Sequence, residues 1–115
     1  MKIYHNKNCS KSCAALELLE KKGGNITVIE YVNQPITKDE IKDILHMLHL
    51  KPLELIRQKE PLFQEQFLGK QYSDEEWIAI LIAHPILIER PIVVNNGQAR
   101  IGRPVERILE LFPAE

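Results

Sequence analysis

The sequence predicts an α/β domain in which a four-stranded mixed sheet is flanked by helices, with a helical insertion in the middle of the chain. Three observations lead there. A helical pattern over residues 10–22 is followed by the β-branched run I-T-V-I-E-Y at residues 26–31. Residues 91–101 hold two further strand-like runs around Asn95-Asn96-Gly97, a strong hairpin signal. The stretch between these ends reads as helical in pieces.

Taken in order, Lys2–Tyr4 is a short first strand. Ser10–Lys22 carries apolar residues at Ala14, Ala15, Leu18 and Leu19, a helical spacing that Gly23-Gly24 ends. Ile26–Tyr31 is the second strand, and because a helix connects it to the first, the two should pair in parallel. Thr37 with Glu40 forms a capping box, followed by Ile41, Ile44, Leu45 and Leu48 on one helical face. Helical pieces then cover Pro52–Arg57, Pro61–Phe67 and Ser73–Ala83, the last opened by a second capping box, Ser73 with Glu76. Pro91–Val94 and Gln98–Ile101 form the hairpin, and Pro104 starts a closing helix with Val105, Ile108, Leu109 and Leu111 on its apolar face. The order βαβ, helices, ββα is that of a thioredoxin-like domain. A single domain over residues 1–115 is expected, with its core at 1–36 and 84–115 and the insertion at about 37–83.

Composition limits the function classes. Fifteen basic and sixteen acidic side chains nearly cancel, so there is no overall field of the kind that gathers nucleic acid or anionic lipid. Any anion site is therefore local. No apolar run reaches the roughly 20 residues of a membrane span, and no signal-peptide core opens the chain. A cytoplasmic protein is expected, with neither membrane nor nucleic acid as partner. Two cysteines in a reducing compartment are more often free or redox-active than a structural staple.

The most informative stretch is His5–Cys13, H-N-K-N-C-S-K-S-C. It places Cys9 at the start of the first helix, where unpaired backbone N–H groups and the macrodipole favour a thiolate or a bound oxyanion. A thiol there should be acidified and reactive. His46 and His49, three apart on a helix, lack the further ligands of a tetrahedral metal site, and no metal is expected.

His5-Asn6, Cys9-Ser10-Lys11-Ser12, the run E-L-I-R-Q-K-E-P-L from Glu54 to Leu62, H-P-I-L-I-E-R-P-I-V-V from His84 to Val94, and R-I-G-R-P from Arg100 to Pro104 resemble the glutaredoxin-dependent arsenate reductase family. That family also includes the Spx-type transcription regulators. The resemblance covers essentially the whole chain. It implies that Cys9 is the nucleophile toward arsenate or another small oxyanion, that His5 tunes or orients the site, and that Arg57, Arg90 and Arg103 bind the oxyanion. Guanidinium forks suit tetrahedral oxyanions and keep their charge near neutral pH. It further implies glutathione as co-substrate, glutaredoxin as recycling partner, no bound cofactor, and a cis peptide at Arg90-Pro91.

Two positions depart from the family pattern. Cys13 stands where its reductases usually have arginine, and Lys7 where proline is common. Cys13 reads either as a resolving thiol one helical turn from Cys9 or as a small packing residue. Lys7 and Lys11 read as an electropositive rim or as solvated surface charges. Arg57 has an alternative too, an ion pair with Glu54 or Glu60. His5 could instead be a strand-end histidine bonded to backbone, His84 a helix cap, and Arg100 and Arg107 partners of surface carboxylates. Three functions stay open: an arsenate-reducing oxidoreductase, an Spx-like redox-responsive regulator that binds RNA polymerase, and a thiol-disulfide reductase with a glutathione-linked substrate. The C-x-x-x-C spacing weighs against the second, since the Spx group carries C-x-x-C.

Overall fold

The computed structural model describes residues 1–112 and arranges four short strands into one mixed sheet in the order β2-β1-β3-β4. These strands are β1 (Lys2–Tyr4), β2 (Thr27–Ile29), β3 (Ile92–Asn95) and β4 (Gln98–Ile101). β1 pairs with β2 in parallel and with β3 antiparallel, and β3 pairs with β4 antiparallel. The architecture is the thioredoxin-like α/β fold the sequence predicts. The helices are α1 (Ser10–Lys22), α2 (Lys38–Leu48), α3 (Pro61–Gln66) and α4 (Asp74–Ala83), with 3-10 turns at Pro52–Leu55, Pro85–Leu87 and Val105–Leu111. Two compact units result: Met1–Gln34 joined by the chain from Arg90 onward, and Pro35–Glu89.

In the first unit, Ile3 of β1 and Val93 of β3 are cross-strand partners. They form a buried cluster with Ala15 and Leu19 of α1 and with Ile108 and Leu111 of the last 3-10 segment. Met1, Leu16, Leu18, Ile26, Val105 and Phe112 pack around it. The buried stripe of α1 is Ser12, Ala15 and Leu19, so its first member is polar. Asn96 and Gly97 both have positive φ, the conformation a tight turn between β3 and β4 requires.

The second unit is organised by its caps and its aromatic residues. Thr37 and Ser73 each accept from the N–H three residues on, and Glu40 and Glu76 each reach back to the cap's own N–H. Phe63, Phe67, Tyr72 and Trp77 stack or meet edge to face, with ring centroids between 4.9 and 6.5 Å. Ile56 and Ile88 form an antiparallel bridge flanked by Arg57 N–H to the Leu87 carbonyl at 2.7 Å and Glu89 N–H to the Leu55 carbonyl at 2.9 Å.

Several elements differ from their sequence reading; β3, for one, spans Ile92–Asn95 rather than Pro91–Val94. β2 spans Thr27–Ile29 rather than Ile26–Tyr31, because its partner β1 offers only three residues to pair with. Pro52–Leu55 and Val105–Leu111 are 3-10 rather than α. The inward-facing residues explain the tighter coil: buried Pro52 and Leu55 are three apart, as are partly buried Val105 and buried Ile108 and Leu111, which suits three residues per turn. Leu109, assigned to the buried face by an α reading, is 40% exposed. The Arg90-Pro91 peptide is cis as expected, and Arg103-Pro104 is cis as well. Among the described residues no helix is long and apolar enough to cross a membrane.

Candidate active site

The chain leaves β1 at Tyr4, turns through residues 5–9, and enters α1 at Ser10. Asn6 organises that turn. Its carbonyl accepts the Cys9 N–H at 3.0 Å, its Oδ1 accepts the Asn8 N–H at 3.0 Å, and its own N–H donates to Ser12 Oγ at 3.0 Å. His5 lies at the strand end, with its N–H on the Ile29 carbonyl at 2.8 Å and its Nδ1 2.6 Å from Ser12 Oγ. Both side chains are buried, His5 at 6% exposure and Ser12 at 0%. Ser12 thus ties the strand end and the turn to the helix start.

Cys9 is the N-cap of α1, with extended backbone angles and 8% exposure. Burial by itself pushes its thiol pKa up. That is outweighed by the Ser12 N–H, the charge of Arg90, the Lys11 N–H and an Arg90 side-chain hydrogen bond, which together hold the thiol below its ordinary value of 9.0. The sulfur therefore sits where an anion is favoured by helix geometry and by a guanidinium at once. A thiol so placed ionises more readily than an ordinary one, and its thiolate is the nucleophilic form.

Arg90, which directly precedes the cis-proline at the start of β3, is half-buried. Its Nε and Nη1 are buried and find no hydrogen-bond acceptor among the described residues. Buried guanidinium N–H groups without acceptors are costly, which leaves these two donors open to an acceptor from outside the chain. Arg103 joins the same unit by donating its Nε to the Arg90 carbonyl at 2.7 Å, which fixes the backbone of Arg90 from the side of β4. Gly102, just before it, has no room for a side chain: a Cβ there would lie 2.9 Å from both Pro91 and Ile108.

Arg57 belongs to the second unit. Its Nη1 pairs with Glu60 at 3.0 Å and donates to the Ile86 carbonyl at 3.1 Å, the ion pair that was the alternative reading of this residue. Arg100 and Arg107 pair with Glu110, as their surface reading anticipates. Lys7 and Lys11 are exposed; what they give the site is backbone, the Lys11 N–H to Cys9 and the Lys7 carbonyl to Cys13. Cys13 is a free, half-buried thiol whose Sγ lies 3.4 Å from that carbonyl. His84 caps α4 through its N–H and leans on Phe67. Among the described residues no group of three or more His, Cys, Asp or Glu is placed to hold a metal ion.

Sequence reasoning assigned no role to Ser12. The signal was available: Ser12 precedes Ala15 by three and Leu19 by seven, on the helix face that turns inward. A hydroxyl on that stripe must find partners inside the protein.

Comparison with known proteins finds relatives along essentially the whole chain. A profile of the ArsC family matches residues 4–111. The arsenate reductase of Neisseria meningitidis serogroup A is 44% identical over 110 residues, covering 94% of each chain. The uncharacterized protein YfgD of Escherichia coli K12 is 44% identical over 113 residues, covering 96% of this chain and 95% of that one. Among solved structures, an arsenate reductase from Vibrio cholerae superposes with a TM-score of 0.91 at 46% identity, covering 97% of this chain and 98% of that one.

Proposed function

The chain belongs to the ArsC family, and we propose on that premise that it is a thiol-dependent oxidoreductase that reduces arsenate, with Cys9 as nucleophile. The observation that carries this reading is the buried Cys9 sulfur beside Arg90, whose Nε and Nη1 find no acceptor among the described residues. In the proposed reaction the Cys9 thiolate attacks arsenic(V), water leaves, and a sulfur–arsenic(V) ester forms. Arg90 holds the oxyanion and carries the negative charge of the ester oxygens. Arg103 supports it by donating Nε to the Arg90 carbonyl, and its guanidinium is a second candidate to hold the oxyanion. A role for Arg57 in binding rests on the family resemblance alone. His5 is a positioning residue: it holds Ser12, and the Ser12 N–H holds the sulfur.

A second thiol must take part, because arsenic(V) accepts two electrons and a thiol pair supplies them in forming one sulfur–sulfur bond. Glutathione serves in this reading, and glutaredoxin reduces the resulting mixed adduct. The test is an assay of reduced protein with arsenate, glutathione, glutaredoxin and an NADPH-recycling system. Arsenate-dependent NADPH consumption should vanish in Cys9→Ser, and kcat/KM should fall on the order of a hundredfold in Arg90→Gln. No consumption with arsenate, but turnover of a glutathione mixed disulfide, assigns the protein to thiol-disulfide reduction instead.

A further inference from the structure

Cys9 and Cys13 are both free thiols, one turn of α1 apart, and the Cys13 N–H donates to the Cys9 carbonyl at 3.0 Å. Side chains on a helix lean toward its N-terminus. Cys13 follows that rule, and its S–H reaches the Lys7 carbonyl in the turn that delivers Cys9. Its sulfur is thus directed under the nucleophile's own loop. From this juxtaposition we infer that Cys13 is a resolving thiol, which attacks the Cys9 sulfur of the arsenic ester and closes an intramolecular disulfide.

The distances permit it. Four helical residues rise about 6 Å, inside the roughly 4.4–6.8 Å range of Cα separations in disulfides. Helical neighbours at this spacing hold their Cβ atoms about 5–6 Å apart, whereas a disulfide wants about 3.5–4.5 Å, so the pair must close by roughly 1–2 Å. Cys9 can supply that movement, because as N-cap it has φ −110° and ψ 119°, outside the helix proper. Lys7 and Asn8 before it are exposed. Closure gives up the contacts of the Cys9 sulfur with the Ser12 and Lys11 N–H groups and Arg90 and adjusts the hydrogen bonds of the turn at Asn6.

The chemistry balances. Attack by Cys13 forms the sulfur–sulfur bond and breaks the sulfur–arsenic bond. The electron pair of the broken bond stays on arsenic, which leaves as arsenite with the thiol's proton on one of its oxygens. Two thiols are oxidised and one arsenic is reduced by two electrons. A disulfide closing so short a loop stabilises the fold little and is readily reduced, here by an external thiol such as glutathione. Glutathione then acts after arsenite has left rather than on the ester.

This inference rests on the arsenate-reductase reading, and a single-turnover experiment separates the two. Reduced protein, freed of small thiols, is mixed with arsenate alone; arsenite and remaining thiols are counted, and the peptides are mapped. The expected result is one arsenite per chain, loss of both thiols, and a Cys9–Cys13 cross-linked peptide. Cys13→Ser and Cys13→Ala should form no arsenite until glutathione is added. If the wild type makes no arsenite alone but turns over with glutathione and glutaredoxin, the resolving role is overturned and arsenate reduction stands. If it makes none in either mixture, both fall.

Discussion

Ser12→Ala should destabilise the protein by far more than removal of a surface hydroxyl. Ser12 is fully buried, and its Oγ serves two partners, His5 Nδ1 at 2.6 Å and the Asn6 N–H at 3.0 Å. Alanine leaves both without a partner, and a buried polar group stranded in this way costs about 1–3 kcal/mol. Asn6 is only partly buried and can recruit water, so its share lies at the low end. Alanine's better helix propensity returns roughly 0.5 kcal/mol. The net loss is about 1.5–3.5 kcal/mol, a large fraction of the roughly 5–15 kcal/mol that holds a domain folded. With a urea slope of about 1–3 kcal/mol/M, the midpoint should drop by on the order of 1 M at unchanged slope. Urea titration followed by circular dichroism measures it. A double-mutant cycle with His5→Ala should show coupling of at least about 0.5 kcal/mol, because the two side chains share one hydrogen bond. A midpoint within about 0.2 M of wild type, or strict additivity with His5→Ala, refutes the reasoning that Ser12 ties the strand end to the helix.

Gly102→Ala should cost about 1–3 kcal/mol by overpacking, since its Cβ meets Pro91 and the fully buried Ile108, and urea titration reads it. The displacement of Pro91 and Arg103 should also slow alkylation of Cys9. Thr37→Ala and Ser73→Ala should each lose about 1 kcal/mol by removing the acceptor of a reciprocal cap, measured in the same way. The Cys9 thiol also makes stability depend on pH. Its folded pKa lies below the ordinary 9.0, so between the two values the unfolded chain binds a proton that the native protein does not. Wild-type stability relative to Cys9→Ser should therefore rise with pH through that window, level off above it, and be lost as pH falls through the folded pKa. A flat difference from pH 5 to 10 contradicts it.

Much of this was legible in the chain. β1, α1 and β4 fall on the expected residues; Gly23-Gly24 marks the end of α1 and the Asn-Gly turn the start of β4. The 3-10 segments were not, since Val105, Ile108, Leu109 and Leu111 fit an α stripe until Leu109 is seen to be exposed; the three-residue spacing of the others was the better guide. Cys9 was legible from its place at a helix start. Arg90 is 81 positions away in sequence, and only the sheet order, with β3 beside β1, brings it to the sulfur. Ser12 was missed because serine in the first turn of a helix usually faces water, and here that turn is folded under His5 and Asn6.

The central claim is that the start of α1 and Arg90 lower the Cys9 thiol pKa and so favour its thiolate. The rate of iodoacetamide alkylation at Cys9, followed against pH in Cys13→Ser and in Cys13→Ser with Arg90→Gln, tests it most directly. The account predicts a titration midpoint below that of an ordinary cysteine thiol in the first protein and a higher midpoint in the second. An ordinary midpoint in the first, or the same midpoint in both, would contradict it.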